Sequence, residues 1–148
     1  MTVLLDTNVI MDALQERSPF DIEAKEILKR SQGGKEFLCL FTANAAADIF
    51  YMYSKARDIK SANAALDFLL SNYGVVPVTH NDCKAAVALY NPDCKNTYKS
   101  IEDFEDALVV ICAQNAAVDY IVTRDAGLLG TNMNLKVITP KKFVALLL

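Results

Sequence analysis

The sequence has little of the chemistry on which many catalytic sites depend. It holds one histidine, His80, and no tryptophan among 148 residues, so catalytic triads and histidine-based metal sites are almost excluded. None of its cysteines forms a C-x-x-C pair, which leaves zinc binding and dithiol redox chemistry without support. We interpret the cysteines as reduced structural thiols. They are Cys39, Cys83, Cys94 and Cys112.

Long apolar runs and an excess of basic residues are also missing. No apolar run approaches the roughly 20 residues that span a bilayer, and Asp6 interrupts the apolar start, which lacks the basic region of a secretory signal. We expect a cytoplasmic protein with no membrane partner. A net charge of −3 and a pI of about 5.1 argue against tight, phosphate-driven binding of nucleic acid. They do not exclude a metal-loaded enzyme that handles nucleic acid transiently.

Apolar residues make up 53% of the chain and fall into short runs between helical patterns. Such runs are typical of parallel strands that are buried on both faces. The pattern predicts one domain over residues 1–148, of the α/β class: a three-layer α/β/α sandwich with a central parallel sheet of about five strands. The predicted strands begin at Val3, Phe37, Val75, Tyr120 and Leu135. The predicted helices cover residues 9–14, 21–31, 43–57, 59–72, 81–89, 102–116 and 140–148.

Four acidic residues lie at strand ends or among apolar neighbours. Asp6 follows the first predicted strand and Asp125 the fourth, and we expect these two strands to be adjacent. Asp48 lies within an alanine-rich helix and has no basic residue three or four positions away. Asp106 opens an apolar helix and shares a face with Asp103. Because ligands bind outside the carboxyl ends of parallel strands, we expect these acids to converge on one crevice.

Each acid also has a purely structural interpretation. Asp6 alone is typical of a helix cap or turn, and Asp48 of a solvated side chain. The motif Ser100-Ile101-Glu102-Asp103 matches a capping signature, which predicts that Ser100 caps the following helix. The acids of that first helical turn then complement the helix dipole. They are Glu102, Asp103 and Glu105.

Several carboxylates in one crevice favour a hard divalent cation, Mg²⁺ or Mn²⁺, bound through oxygen. Unpaired, they would repel one another and their pKa values would rise. A cation so held lowers the pKa of a bound water and stabilises charge on a phosphoryl group. With no histidine in reach, this set suits phosphodiester hydrolysis better than acyl transfer. We predict Asp6, Asp106 and Asp125 as metal ligands and Asp48 as a further catalytic acid.

Four segments follow one another in a recognisable order: Leu5-Asp6-Thr7-Asn8-Val9, the helical Asp48, Asp103-Phe104-Glu105-Asp106-Ala107-Leu108 and Val122-Thr123-Arg124-Asp125. In order and spacing they resemble the PIN domain, most of all the VapC-like branch of bacterial toxin–antitoxin ribonucleases. The resemblance covers nearly the whole chain. It implies a Rossmann-like sandwich and a metal-dependent endoribonuclease with an RNA substrate. It also implies a homodimer and a small antitoxin that blocks the site.

The resemblance carries over to individual positions. Asp6 matches the family's first acid, Asp106 its third, and Asp125 the acid after the Thr-x-(Asn/Asp) strand end. Thr123 matches a small hydroxyl residue near the metal, and Asn8 a polar residue that holds the first loop.

The chain departs from the family pattern at two places. Asp48 stands where Glu is more usual, so its contact with the metal is expected to be indirect, through water. The segment Ala126-Gly127-Leu128-Leu129 replaces an acidic-aromatic ending. These departures leave a second hypothesis open: a non-catalytic PIN-like module that binds a protein partner or RNA. A phospho-acceptor receiver domain is a third, weakened because Leu4-Leu5-Asp6-Thr7 lacks the required acidic pair.

Two surface features remain open from sequence alone. The aromatic residues Phe50, Tyr51 and Tyr53 have helical spacing, for which buried core is favoured over a dimer interface. Several basic residues are interpreted either as contacts to an RNA backbone or as solvated side chains. They are Lys55, Arg57, Lys60, Lys95, Lys99 and Arg124.

Overall fold

The computed structural model describes residues 1–90, 101, 103–131 and 134–148. Within these ranges the chain forms a sheet of five strands, all parallel, in the order β3-β2-β1-β4-β5. The predicted three-layer α/β/α sandwich with about five parallel strands is confirmed. The strands are β1 (Thr2–Leu5), β2 (Leu38–Thr42), β3 (Gly74–Val76), β4 (Tyr120–Val122) and β5 (Val137–Ile138).

Helices cover both faces of the sheet, and within the described ranges none is long and apolar enough to cross a membrane. A turn of 3-10 helix, Gln32–Gly34, follows the second helix, and its φ of 65° at Gly33 is a conformation that glycine adopts without strain. The helices are α1 (Thr7–Leu14), α2 (Asp21–Ser31), α3 (Ala43–Ala56), α4 (Ile59–Asn72), α5 (His80–Leu89), α6 (Phe104–Asn115), α7 (Ala126–Leu129) and α8 (Pro140–Leu146).

The start of α6 differs from the predicted one, and α7 was not predicted. The cap of α6 is Asp103, whose Oδ1 accepts the backbone N–H of Asp106 at 2.7 Å. The helix therefore begins at Phe104, after the predicted start, and Ser100 and Glu102 lie outside the described residues. The short helix α7 is capped in the same way by Asp125. Both differences have one cause, since an aspartate at a helix start satisfies orphan N–H groups.

Side chains of β1 show why the sheet has two covered faces. Val3 and Leu5 pack into a cluster with α1, α2, α3 and α8, whereas Leu4 packs into a second cluster with α5 and α6. Successive side chains of a strand point to opposite faces. All three are at most 2% exposed, which is why the strand reads as a continuous apolar run instead of an alternating one.

The sheet register brings the ends of β1 and β4 together. Leu5 pairs with Val122, and the N–H of Asp6 donates to the carbonyl of Val122 at 3.0 Å. Asp6 and Thr123 therefore follow neighbouring strands at the same edge. The prediction that these strands are central and adjacent is confirmed.

Candidate metal centre

The carboxylate of Asp6 is held by hydrogen bonds at the end of the central strand. Its Oδ1 accepts the backbone N–H of Thr7 at 2.8 Å, which caps α1. Its Oδ2 accepts from Asn8 Nδ2 at 3.0 Å and from Thr123 Oγ1 at 2.7 Å. Burial raises the pKa of Asp6, against the lowering effect of the Thr123 and Thr7 hydrogen bonds. The same carboxylate thus both caps a helix and faces the crevice.

The end of β4 is tied to Asp6 through a buried hydroxyl. Thr123 is fully buried, and its Oγ1 donates to Asp6 while accepting the backbone N–H of Asp125 at 2.9 Å. Asp125 in turn accepts the N–H of Gly127 at 2.7 Å and so caps α7. The backbone N–H of Arg124 donates to Asn8 Oδ1 at 3.4 Å. These bonds fix the positions of Asp6 and Asp125 relative to each other.

Helix α6 presents Asp106 to the same crevice from its first turn. Asp106 is 9% exposed. Desolvation raises its pKa to about 7, and the negative charges of Asp103, Asp125, Asp6 and Glu105 act in the same direction. These four acids line the same cavity as Asp106.

Glu105 is the acid that the sequence reading missed. It was assigned to the helix dipole, but in the structure its side chain lies near that of Asp48 on α3, and both line the same cavity. Desolvation, followed by this contact with Asp48, raises the pKa of Glu105 to about 7. Its position next to Asp106 could have indicated this. Two consecutive acids in the first turn of a helix both lie near the helix start, and here that start borders the crevice at the edge of the sheet. Glu105 thus brings a longer carboxylate beside the short Asp48.

These acids line a single cavity of about 370 Å³ at the carboxyl edge of the sheet. Carboxylate oxygens are the ligands that Mg²⁺ and Mn²⁺ prefer, so the donor set fits the predicted cation. Among the described residues, however, no three acidic side chains stand close enough together to ligate one metal ion. The cavity is lined by Asp6, Thr7, Asn8, Arg17, Asp48, Tyr51, Met52, Asp103, Glu105, Asp106 and Asp125.

A buried ion pair lies beside this cavity. Asp12 is fully buried on α1 and accepts from Arg124 Nε at 2.5 Å and Nη2 at 2.9 Å. The Arg124 guanidinium also stacks over the ring of Phe20, 4.1 Å from its centroid. Arg124 is therefore tied to α1 by this pair, while its side chain keeps 30% exposure, and its interpretation as an RNA contact stays a prediction. Its role is to join α1 to the loop that carries Thr123 and Asp125.

A parallel α/β sheet with acids gathered at the ends of two central strands defines a Rossmann-like protein with a site suited to a divalent cation. The family model described as PIN domain matches residues 2–127. The chain belongs to the PIN domain family. A comparison with curated proteins gives no match.

Solved structures of VapC-type toxins share this fold. One is VapBC2 from Rickettsia felis bound to a DNA fragment from their promoter, with a TM-score of 0.64 and 16% identity over 94% of this chain and 98% of that chain. Another is the sarcin–ricin-loop-cleaving toxin VapC20 from Mycobacterium tuberculosis, with a TM-score of 0.67 and 14% identity over 87% and 95%. A toxin–antitoxin complex from Klebsiella pneumoniae has a TM-score of 0.66 and 19% identity over 93% and 97%.

Removing the Thr123 hydroxyl is expected to weaken divalent-cation binding. Thr123→Val keeps the side-chain shape but deletes the donor to Asp6 and the acceptor for the Asp125 N–H. Loss of a partner that orients a ligand typically costs about 10-fold or more in metal affinity. Calorimetric titration with Mn²⁺ measures the change. Thr123→Ser is the matched control, since it keeps the hydroxyl, and a Val variant that binds Mn²⁺ like the parent would contradict the assignment.

Proposed function

We propose that this chain is a Mg²⁺- or Mn²⁺-dependent endoribonuclease and the toxin of a toxin–antitoxin pair. The observation that carries the proposal is one cavity lined by six carboxylates at the ends of β1 and β4. Membership of the PIN domain family and likeness in fold to a toxin that cleaves RNA support it. The RNA phosphodiester bond is the proposed substrate because the site has a place for a cation and no histidine or cysteine nucleophile within its lining.

The proposed roles follow the contacts of each acid. Asp6, Asp106 and Asp125 would hold the cation, and a bound cation would supply charge to stabilise the phosphoryl group and to lower the pKa of a water. Asn8 and Thr123 orient Asp6 through the hydrogen bonds described above.

The remaining acids have supporting roles. Asp103 fixes the first turn of α6 and so places Asp106. Asp48 and Glu105, which line the same cavity, form a second pair of carboxylates beside the proposed ligands.

The toxin role also implies partners. Several proteins of the same fold were solved as toxin–antitoxin complexes, which supports a small antitoxin as the partner of this chain. A homodimer and a cytoplasmic location stay predictions. The acid cavity is the surface that an inhibitory partner has to cover.

Replacing Asp6 by asparagine is expected to abolish divalent-dependent RNA cleavage. Asn keeps the shape of the side chain but removes the charge that is proposed to hold the cation, and its amide nitrogen cannot accept the hydrogen bonds that one of the two carboxylate oxygens accepts. We expect a fall of at least about 100-fold in the cleavage rate and a loss of Mn²⁺ binding by calorimetry. Asp67→Asn is the matched control, because Asp67 is exposed on α4 and does not line the cavity.

The two measurements also separate the enzyme from the alternative. A parent protein that neither binds Mn²⁺ nor cuts RNA, and that is unchanged by Asp6→Asn, is a non-catalytic module. An Asp6→Asn variant that cuts RNA like the parent would show that the site has been placed wrongly.

A further inference from the structure

A second cavity adjoins the acid cavity and is lined by residues of different charge. Its volume is about 370 Å³, and it lies between the end of α1 and the end of α3. Arg17 lines both cavities, so its side chain stands where the two meet. The second cavity is lined by Leu14, Gln15, Glu16, Arg17, Ala56 and Arg57.

The guanidinium of Arg17 has donors to spare. Its Nε donates to Gln15 Oε1 at 2.8 Å. Its Nη1 stands 3.9 Å from Asp12 Oδ1, but both oxygens of Asp12 already accept closer hydrogen bonds from Arg124. The Arg17 side chain is 38% exposed. It is therefore held in place by its Nε while its outer nitrogens face the depression.

The acids near the second cavity are engaged elsewhere. Glu16 is paired with Lys25 at 2.8 Å. Asp58, which follows Arg57, caps α4 by accepting the N–H of Ser61 at 2.7 Å. The second cavity thus carries positive charge from Arg17 and Arg57 beside a strongly acidic one. A polyanion that enters the acid cavity needs such a cationic neighbour to offset repulsion.

An exposed aromatic ring lies at the border of the acid cavity. Tyr51 on α3 lines that cavity and is 63% exposed, so the core interpretation of this residue is wrong. Lys55 Nζ lies over its ring, 5.4 Å from the centroid. A solvated aromatic ring with a cation beside it is typical of platforms on which nucleic-acid bases stack.

We propose that these residues form a binding path for single-stranded RNA that leads out of the acid cavity. Arg17 binds the phosphate next to the one at the acids, Tyr51 stacks on a base, and Arg57 binds a further phosphate. The strand has to be single because a paired base is not free to stack on a side chain. This assignment rests on the proposed function, since it names how the substrate of that site is held.

The test measures RNA binding in the Asp106→Asn background, so that the strand is not cut. Fluorescence anisotropy follows a labelled single-stranded RNA of about 12 nucleotides over a salt series. Arg17→Ala and Arg57→Ala are each expected to lower the slope of log K against log salt by about 0.7. Tyr51→Ala is expected to weaken binding about 10-fold with the slope unchanged. Thermal melts confirm that each variant is folded.

Matched variants serve as controls. Lys29→Ala removes one exposed positive charge that lines neither cavity, and Tyr51→Phe keeps the ring. Both are expected to bind like the parent. The path is overturned if Arg17→Ala and Arg57→Ala have the slope of Lys29→Ala, or if duplex RNA of the same length binds as tightly as the single strand.

Cleavage measurements separate this inference from the proposed function. A parent that cuts RNA while Arg17→Ala leaves KM and the salt slope unchanged overturns the path alone. A parent that does not cut RNA, but binds it with the expected dependence on Arg17 and Tyr51, overturns the nuclease and supports the path as an RNA-binding surface.

Discussion

Asp106→Asn is expected to abolish divalent-dependent RNA cleavage and, at the same time, to stabilise the protein in metal-free buffer above neutral pH. The pKa of Asp106 is raised to about 7 from an ordinary value of 3.8. Between these values the folded protein keeps a proton that the unfolded chain has lost, so its stability falls as pH rises through that window. Above pH 7 the buried charge stands uncompensated beside other carboxylates. Asparagine removes that charge, whereas cleavage should fall by at least about 100-fold because a proposed ligand of the cation is lost.

Thermal unfolding with a chelator, at about pH 4 and about pH 8, checks the stability part of this prediction. The melting temperature of Asp106→Asn should exceed that of the parent at the higher pH only. Added Mn²⁺ should raise the melting temperature of the parent much more than that of the variant. Asp67→Asn should follow the parent in both buffers. Equal melting temperatures for Asp106→Asn and the parent at the higher pH would mean that the charge of Asp106 does not destabilise the folded protein.

Arg124→Met is expected to cause the largest loss of folding free energy, on the order of 3 kcal/mol, because it leaves a buried carboxylate without its main partner. Asp12 is fully buried and Arg124 makes two hydrogen bonds to it. Arg17, at 3.9 Å, offsets only part of the loss. Urea unfolding followed by circular dichroism measures the change.

A second substitution tests the cause. Asp12→Asn combined with Arg124→Met removes the unpaired charge and should recover part of the lost stability. Arg30→Met is the control, since Arg30 forms a pair with the half-exposed Glu36, and its loss should cost about 1 kcal/mol or less. If Arg124→Met and Arg30→Met cost the same, the buried pair does not hold α1 to the end of β4.

Much of the fold was predictable because the central strands β1 and β4 are buried on both faces. A strand of this kind is a short apolar run, and its end is marked by the first polar residue, so Asp6 and Thr123 could be located at strand ends. Adjacent parallel strands end at one edge of the sheet, which made the approach of Asp6 and Asp125 predictable. The cap at Thr42, which accepts the N–H of Ala45, was also predictable, because capping depends on neighbours in sequence.

Two residues have partners that are distant in sequence and that the pattern did not predict, and a third is more exposed than predicted. Glu105 was predicted to complement the dipole of its helix, yet α3 places Asp48 near it. Arg124 reads as a surface cation, yet it reaches Asp12 on α1, 112 positions away. Tyr51 reads as core, yet its face of α3 lies at the cavity mouth. None of these contacts leaves a periodic pattern.

The order of apolar runs and acids is therefore enough to define the class of fold, the edge at which the site lies, and Asp6, Asp106 and Asp125 as its candidate ligands. Those features depend on local chemistry and on strand direction. The packing of α1 and α3 around that edge decides the rest: the Asp48–Glu105 pair, the burial of Asp12 with Arg124, and the cationic cavity at Arg17. Such features depend on which helix faces pack against each other. That packing is determined jointly by side chains that are far apart in the sequence.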